Sequence, residues 1–131
     1  MMKILVVDDE RVIADSLAMI LSRNGFEAEA VYSGEAALAR SAATKPDLVI
    51  SDVVMPGING IEAALQIRAL LPACKILLFS GQASTADLLA TARKQGHEFE
   101  ILAKPIHPQD LLDKLRRDFG KPHDRRQEAG A

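Results

Sequence analysis

Short apolar runs that stop at polar or turn-forming residues alternate along the chain with stretches whose apolar residues recur at helical spacing. Ile4-Leu5-Val6-Val7 ends at Asp8-Asp9-Glu10, and Ile13, Leu17, Ile20 and Leu21 then share one side of a helix over residues 11 to 24. Asn24-Gly25 tolerates the left-handed conformation that ends a helix, and Glu27 to Val31 alternates charged and apolar residues, as an edge strand does. Ser33 is placed to cap an alanine-rich helix over residues 34 to 43, which Lys45-Pro46-Asp47 breaks. Leu48 to Val54 is apolar apart from Ser51 and Asp52, and Pro56, Gly57 and Gly60 follow it, a pattern expected of a strand buried on both faces. Ile61, Leu65 and Leu70 predict the next helix, with Ala63, Ala64 and Ala69 permitting close approach and Pro72 ending it.

Lys75 to Phe79 is another continuous apolar run, closed by Ser80-Gly81-Gln82. Ser84 and Asp87 have capping-box spacing, opening a helix over residues 85 to 95 whose apolar content is chiefly Leu88, Leu89 and alanine, so its grip on a core is weak. After Gln95-Gly96, residues 98 to 103 alternate like an edge strand and lead into Lys104-Pro105. Pro108 suits the first turn of a last helix striped by Leu111, Leu112, Leu115 and Phe119, and Gly120-Lys121-Pro122 stops it. Strand and helix thus alternate throughout, which predicts an α/β fold with a parallel sheet and helices on both faces. Continuous apolar runs place strands one, three and four centrally and the alternating runs place two and five at the edges. The resulting expectation is a flavodoxin-like, doubly wound five-stranded sheet of order 2-1-3-4-5. Residues 1–120 would form the domain and residues 121–131, polar and aperiodic, a flexible C-terminal tail.

Composition narrows the function more than the fold. The 131 residues are 48% hydrophobic and carry a formal charge of −2, enough for one core and without a basic footprint, so direct nucleic-acid binding is not expected. Cys74 is the single cysteine, which excludes an intramolecular disulfide and offers no zinc-ligand spacing; a small core residue is expected there. The apolar stretch before Asp8 is too short for a signal peptide or membrane span, so a cytoplasmic protein without membrane association is expected.

In a 2-1-3-4-5 sheet, Asp8-Asp9, Asp52, Ser80 and Lys104 each follow a different strand and all reach one edge, at the switch point where such folds bind ligands. Taken singly, each has an ordinary explanation: helix-start acids at Asp8-Asp9, a turn residue at Asp52, a surface lysine at Lys104. Their convergence does not. Carboxylates ~5 Å apart at an effective dielectric of ~20 repel by about 3 kcal/mol per pair, so cations are required. Lys104 supplies one charge, and hard oxygen ligands without neighbouring His or Cys favour Mg²⁺ for the remainder. A carboxylate beside Mg²⁺ and an ammonium is placed to attack a phosphoryl group, with Ser80 as a hydroxyl donor.

On these motifs the sequence resembles the receiver domain of two-component response regulators over nearly all of residues 3 to 119. The acidic pair Asp8-Asp9, Asp52 followed by Met55-Pro56 and Gly60, Ser80, and Lys104-Pro105 carry the resemblance. It implies a stand-alone, phosphorylation-dependent switch in which Asp52 accepts a phosphoryl group from the phosphohistidine of a histidine kinase or histidine phosphotransfer protein. It further implies Mg²⁺ held by Asp9, Asp52 and the backbone carbonyl of Val54, with Asp8 acting through a water. Lys104 would contact the phosphoryl oxygens, Ser80 would swing its hydroxyl onto them, and Gly81 would leave the approach open. Lys104-Pro105 would be a cis peptide, and the surface of the fourth helix, fifth strand and fifth helix would change. The chain would not be an enzyme beyond its own phosphotransfer and dephosphorylation.

Two departures from the family pattern concern the readout. Ile101 stands where such domains carry Tyr or Phe three residues before the lysine, and the segment from Gly96 to Phe99 is one residue longer than usual, with Phe99 on the strand face of Ile101. His97, His107 and His123 are scattered and offer no metal spacing. Other functions fit less well. A Mg²⁺-dependent phosphatase of the haloacid dehalogenase type places its nucleophile in an Asp-x-Asp after the first strand, which Asp8-Asp9-Glu10 lacks. A flavin carrier needs a phosphate-cradling first loop, and this one is acidic. A receiver-like interaction module that never takes phosphate keeps the fold and differs only in chemistry.

Overall fold

The computed structural model describes residues 2–81 and 85–119, with only the backbone for 85–88. Strand and helix alternate as β1 (Lys3–Val7), α1 (Arg11–Arg23), β2 (Glu27–Val31), α2 (Gly34–Thr44), β3 (Leu48–Asp52), α3 (Gly60–Leu70), β4 (Lys75–Ser80), α4 (Thr85–Lys94), β5 (Glu100–Ala103) and α5 (Pro108–Phe119). The strands pair in parallel in the order β2-β1-β3-β4-β5, the predicted topology. Every residue of β3 is buried, whereas β2 and β5 keep exposed positions, so burial sorts central from edge strands as the apolar runs implied.

The two-residue period of the strands divides the core in two. Ile4, Val6, Leu48, Ile50, Leu77 and Phe79 face α1 and α5 and pack with Leu17, Leu21, Leu111 and Leu115. The intervening Leu5, Val7, Val49, Ile76 and Leu78 face the other way, onto Ala37 of α2, Ile61, Ala64 and Ile67 of α3, and Ala92 of α4. One residue of slip in any central strand would exchange the two cores, so both fix its register.

Capping follows the side chains that the sequence supplies. Ser33 Oγ accepts from the Ala36 amide at 3.0 Å, and Asn59 with Glu62 completes a reciprocal capping box at the start of α3. Gly25 and Gly96 take φ of 93° and 86° just after α1 and α4, where a side chain would be strained. The Lys104-Pro105 peptide is cis.

Three details differ from the sequence pattern. Leu70 is 52% exposed and Ala69 is also exposed; the buried line of α3 runs through Ile61, Ala64 and Ile67, and Leu70, nine residues or two and a half turns beyond Ile61, falls on the opposite face. Strand β5 begins at Glu100 rather than Glu98, since pairing with β4 starts at Leu77 opposite Glu100. Phe99 lies outside the strand yet packs with Ile101 against the same core, as their spacing suggested. In α4, Ala92 is buried and Leu89 partly so. The predicted cap at Ser84, the side chain of Leu88, the stop after Phe119 and the tail lie outside the described residues. Among the described residues, no helix is long and apolar enough to cross a membrane.

Candidate functional site

The strands of a parallel sheet deliver their C-terminal residues to one edge, and here that edge gathers the acids and the lysine. Asp8 leaves β1 fully buried; its amide donates to the Val31 carbonyl at 3.2 Å and its Oδ1 accepts from the Glu10 amide at 2.9 Å. The bend this creates leaves Asp9 exposed beside it. Asp52 closes β3 opposite Phe79, with only 6% of its surface exposed. Ser80 ends β4 opposite Ala103, and the Lys104 amide donates to the Ser80 carbonyl at 3.1 Å, which ties the ends of β4 and β5 together.

Lys104 reaches across this edge. Its Nζ lies 3.1 Å from Asp52 Oδ2 and 3.3 Å from Asp8 Oδ2, and 5.1 Å from the centre of the Phe79 ring. A carboxylate oxygen from each of Asp8, Asp9 and Asp52 falls within 4.8 Å of the others, the one group of potential metal ligands among the described residues. Three carboxylates against one ammonium leave a net negative, all-oxygen pocket, the donor chemistry of a hard divalent cation such as Mg²⁺. His97 and His107 do not join it.

The charges shape one another. Burial raises the Asp52 carboxyl above its ordinary range; the hydrogen bond and charge of Lys104 oppose this, and Asp8 adds to it. For Lys104, burial works against the ammonium, but the hydrogen bond and charge of Asp52, followed by those of Asp8, outweigh it and the net shift is upward. The Asp52 carboxylate is thus held in a disfavoured charged state that an added cation would relieve, whereas the Lys104 ammonium is favoured by its two carboxylate partners. Cys74, by contrast, is buried away from this edge, and burial pushes its thiol up to about 11.

The loop after Asp52 is shaped by its glycines. A Cβ on Gly60 would stand 2.0 Å from the Asp52 carbonyl oxygen, and the Gly60 amide donates to the Val53 carbonyl at 2.7 Å, so α3 starts against the backbone of Asp52 and Val53. Met55 is buried in the core while Val54, two residues after Asp52, is 41% exposed. A Cβ on Gly81 would lie 3.4 Å from Lys104 Cβ, ordinary contact beside the lysine stem. Sequence reasoning missed the aromatic floor that Phe79 forms under Lys104, and a groove of about 340 Å³ running from Lys104 and Pro105 to Ile13 and Leu17. Neither has a local signal, because each joins residues far apart in the chain.

The comparisons agree with this geometry. The family model described as the response regulator receiver domain matches residues 4–116. The response regulator MprA of Mycobacterium avium (strain 104) is 34% identical over 115 residues, covering 88% of this chain and 50% of that protein. The chain spans about half the length of the curated relatives it matches. Among solved structures, the chemotaxis protein CheY4 of Vibrio cholerae has a TM-score of 0.77 at 31% identity, covering 89% of this chain and 98% of that one. The response regulator TrrA of Thermotoga maritima, solved in complex with Mg(2+)-BeF, has a TM-score of 0.75 at 35% identity with the same coverages. With the family model matching residues 4–116 and relatives above 30% identity over most of the chain, the chain belongs to the response regulator receiver domain family.

Proposed function

We propose that the chain is a phosphorylation-dependent signalling switch in which Asp52 accepts a phosphoryl group from the phosphohistidine of a histidine kinase or histidine phosphotransfer protein. The observation that carries this is the placement of Lys104 Nζ within 3.1–3.3 Å of Asp52 and Asp8 in a pocket that also holds Asp9. One Asp52 carboxylate oxygen attacks phosphorus, the P–N bond to imidazole breaks, and its electron pair leaves with the imidazole nitrogen. Asp8, Asp9, Asp52 and the Val54 backbone carbonyl would hold Mg²⁺, which when bound neutralises charge on the transferring oxygens. Lys104 turns from Asp52 toward the new phosphoryl oxygens, and Ser80 adds a hydroxyl donor from the neighbouring strand end.

The chain is a phosphoacceptor that takes part in its own phosphorylation and dephosphorylation, rather than an enzyme with a separate substrate. Its output is a changed surface over α4, β5 and α5, read by a protein partner. The receiver domain spans residues 1–120, and the protein works in the cytoplasm without binding nucleic acid through this domain. Intact-mass measurement after incubation with Mg²⁺ and a small phosphodonor tests the chemistry. One added phosphoryl group, absent with a chelator and absent in Asp52→Asn, supports the switch. An unmodified wild-type chain would favour an interaction module that never takes phosphate.

A further inference from the structure

The loop from Val53 to Asn59 carries both the backbone next to Asp52 and the Val54 carbonyl, and its fastenings are unequal. Its start is tied by the Gly60 amide to the Val53 carbonyl, its first half by Met55 in the core, and its end by the Asn59 amide to Glu62 Oε1 at 3.0 Å. Between these, the Ile58 amide donates to Glu35 Oε2 at 3.3 Å, across to the first turn of α2. Glu35 is well placed to hold on. It follows the Ser33 cap, in the helix turn where the backbone dipole favours a carboxylate. Two glycines bring helix and loop this close. A Cβ on Gly34 would stand 2.4 Å from Ile58 Cγ1, and a Cβ on Gly57, whose φ is +77°, would stand 2.6 Å from Glu35 Oε2.

We propose that Glu35 is a positioning residue for the phosphoacceptor site: by accepting from the Ile58 amide it restrains the 54–58 segment, and with it the Val54 carbonyl that would serve Mg²⁺. This rests on Asp52 being a Mg²⁺-dependent phosphoacceptor. Glu35 touches neither the cation nor the phosphoryl group; it acts through the loop. Its carboxylate is exposed and the bond competes with water, so its effect falls below that of a buried partner.

The test uses the full chain as wild type, Glu35→Ala and Glu35→Gln. Backbone amide shifts titrated with Mg²⁺ give the affinity, amide exchange at Ile58 reports the fastening, and thermal melts control for folding. Glu35→Ala weakens Mg²⁺ binding about fivefold, less than the 10–100-fold typical of buried outer-shell partners, and speeds exchange at Ile58. Glu35→Gln, whose side-chain carbonyl can still accept, stays within about twofold of wild type in affinity. Faster exchange at Ile58 with unchanged Mg²⁺ affinity in Glu35→Ala overturns the proposal, as does a Glu35→Gln variant as impaired as Glu35→Ala. A wild-type chain that binds no Mg²⁺ overturns the phosphoacceptor function first and the role of Glu35 with it, an outcome distinct from either variant result.

Discussion

Replacing Asp52 by asparagine keeps the shape of the side chain and removes its charge, so it weighs the electrostatic tension of the pocket directly. The oxygens of Asp8 and Asp52 lie within 4.8 Å, and at an effective dielectric of ~20 their repulsion is about 3 kcal/mol. The attraction of Asp52 to Lys104 across 3.1 Å is about 5 kcal/mol on the same scale. That attraction is set against desolvation of a nearly buried carboxylate, a penalty of several kcal/mol per ion, and an asparagine carbonyl can still accept from Lys104. Burial is the largest influence on Asp52 and its carboxyl is held above its ordinary value, so the net effect of its charge is destabilising. Asp52→Asn is therefore expected to stabilise the domain by on the order of 1 kcal/mol at neutral pH without Mg²⁺, a rise of roughly 3–6 °C in Tm. The pH dependence follows from the raised pKa. The folded chain binds the Asp52 proton more readily than the unfolded chain, so the penalty is absent below the unfolded value of 3.8 and grows as pH rises through the folded one. Urea or thermal unfolding of both proteins at neutral pH and below the ordinary carboxylate range checks this. A less stable variant at neutral pH, or an advantage that persists unchanged in acid, would refute the reasoning.

Further outcomes follow from the same site. Mg²⁺ at roughly 10–100 times its Kd should stabilise the wild type by about 1–3 kcal/mol by mass action, and Asp9→Ala should abolish that gain; a Tm indifferent to Mg²⁺ tells against the pocket. Lys104→Met leaves Asp8 and Asp52 without their cation and should cost about 2–4 kcal/mol, partly recovered by Mg²⁺, which unfolding titrations will register. Because the Lys104 pKa is raised, the wild type keeps this contribution at neutral pH and loses it as pH rises through the folded value, a loss that Lys104→Met lacks. Amide exchange compared between unmodified and phosphorylated protein should change chiefly in residues 80 to 108; changes confined to the surroundings of Asp52, or a remote response untouched in both Phe99→Ala and Ile101→Ala, would refute transmission along β5.

Much of the fold was legible because burial writes itself into short stretches. Leu48 to Asp52 is buried at every position, and its apolar run said so; Glu27 to Val31 alternates, and it lies at an edge. The site was legible for a related reason: Asp8, Asp52 and Lys104 are charged residues set at the ends of apolar runs, and the strand order alone brings those ends together. Contacts between distant segments left no local trace. Phe79 beneath Lys104 depends on β4 pairing with β5, and Arg68 stacked 4.3 Å from the Phe99 ring depends on where α3 meets the segment before β5. Glu35 and Ile58 are 23 positions apart, and their bond needs two glycines whose roles appear only when helix and loop meet. Grouping Leu70 with Ile61 and Leu65 also misreads the period: nine residues from Ile61 is half a turn out of phase, and Leu70 lies on the exposed side of α3.

The most direct test of the account is to locate the modified residue itself. The chain is treated with Mg²⁺ and a small phosphodonor and then reduced with borohydride, which converts an acyl phosphate of aspartate to homoserine, and the peptides are sequenced by mass spectrometry. The account predicts homoserine at position 52 and nowhere else, with none when Mg²⁺ is chelated. Homoserine at Asp8 or Asp9, or a phosphorylated chain with Asp52 intact, would contradict it.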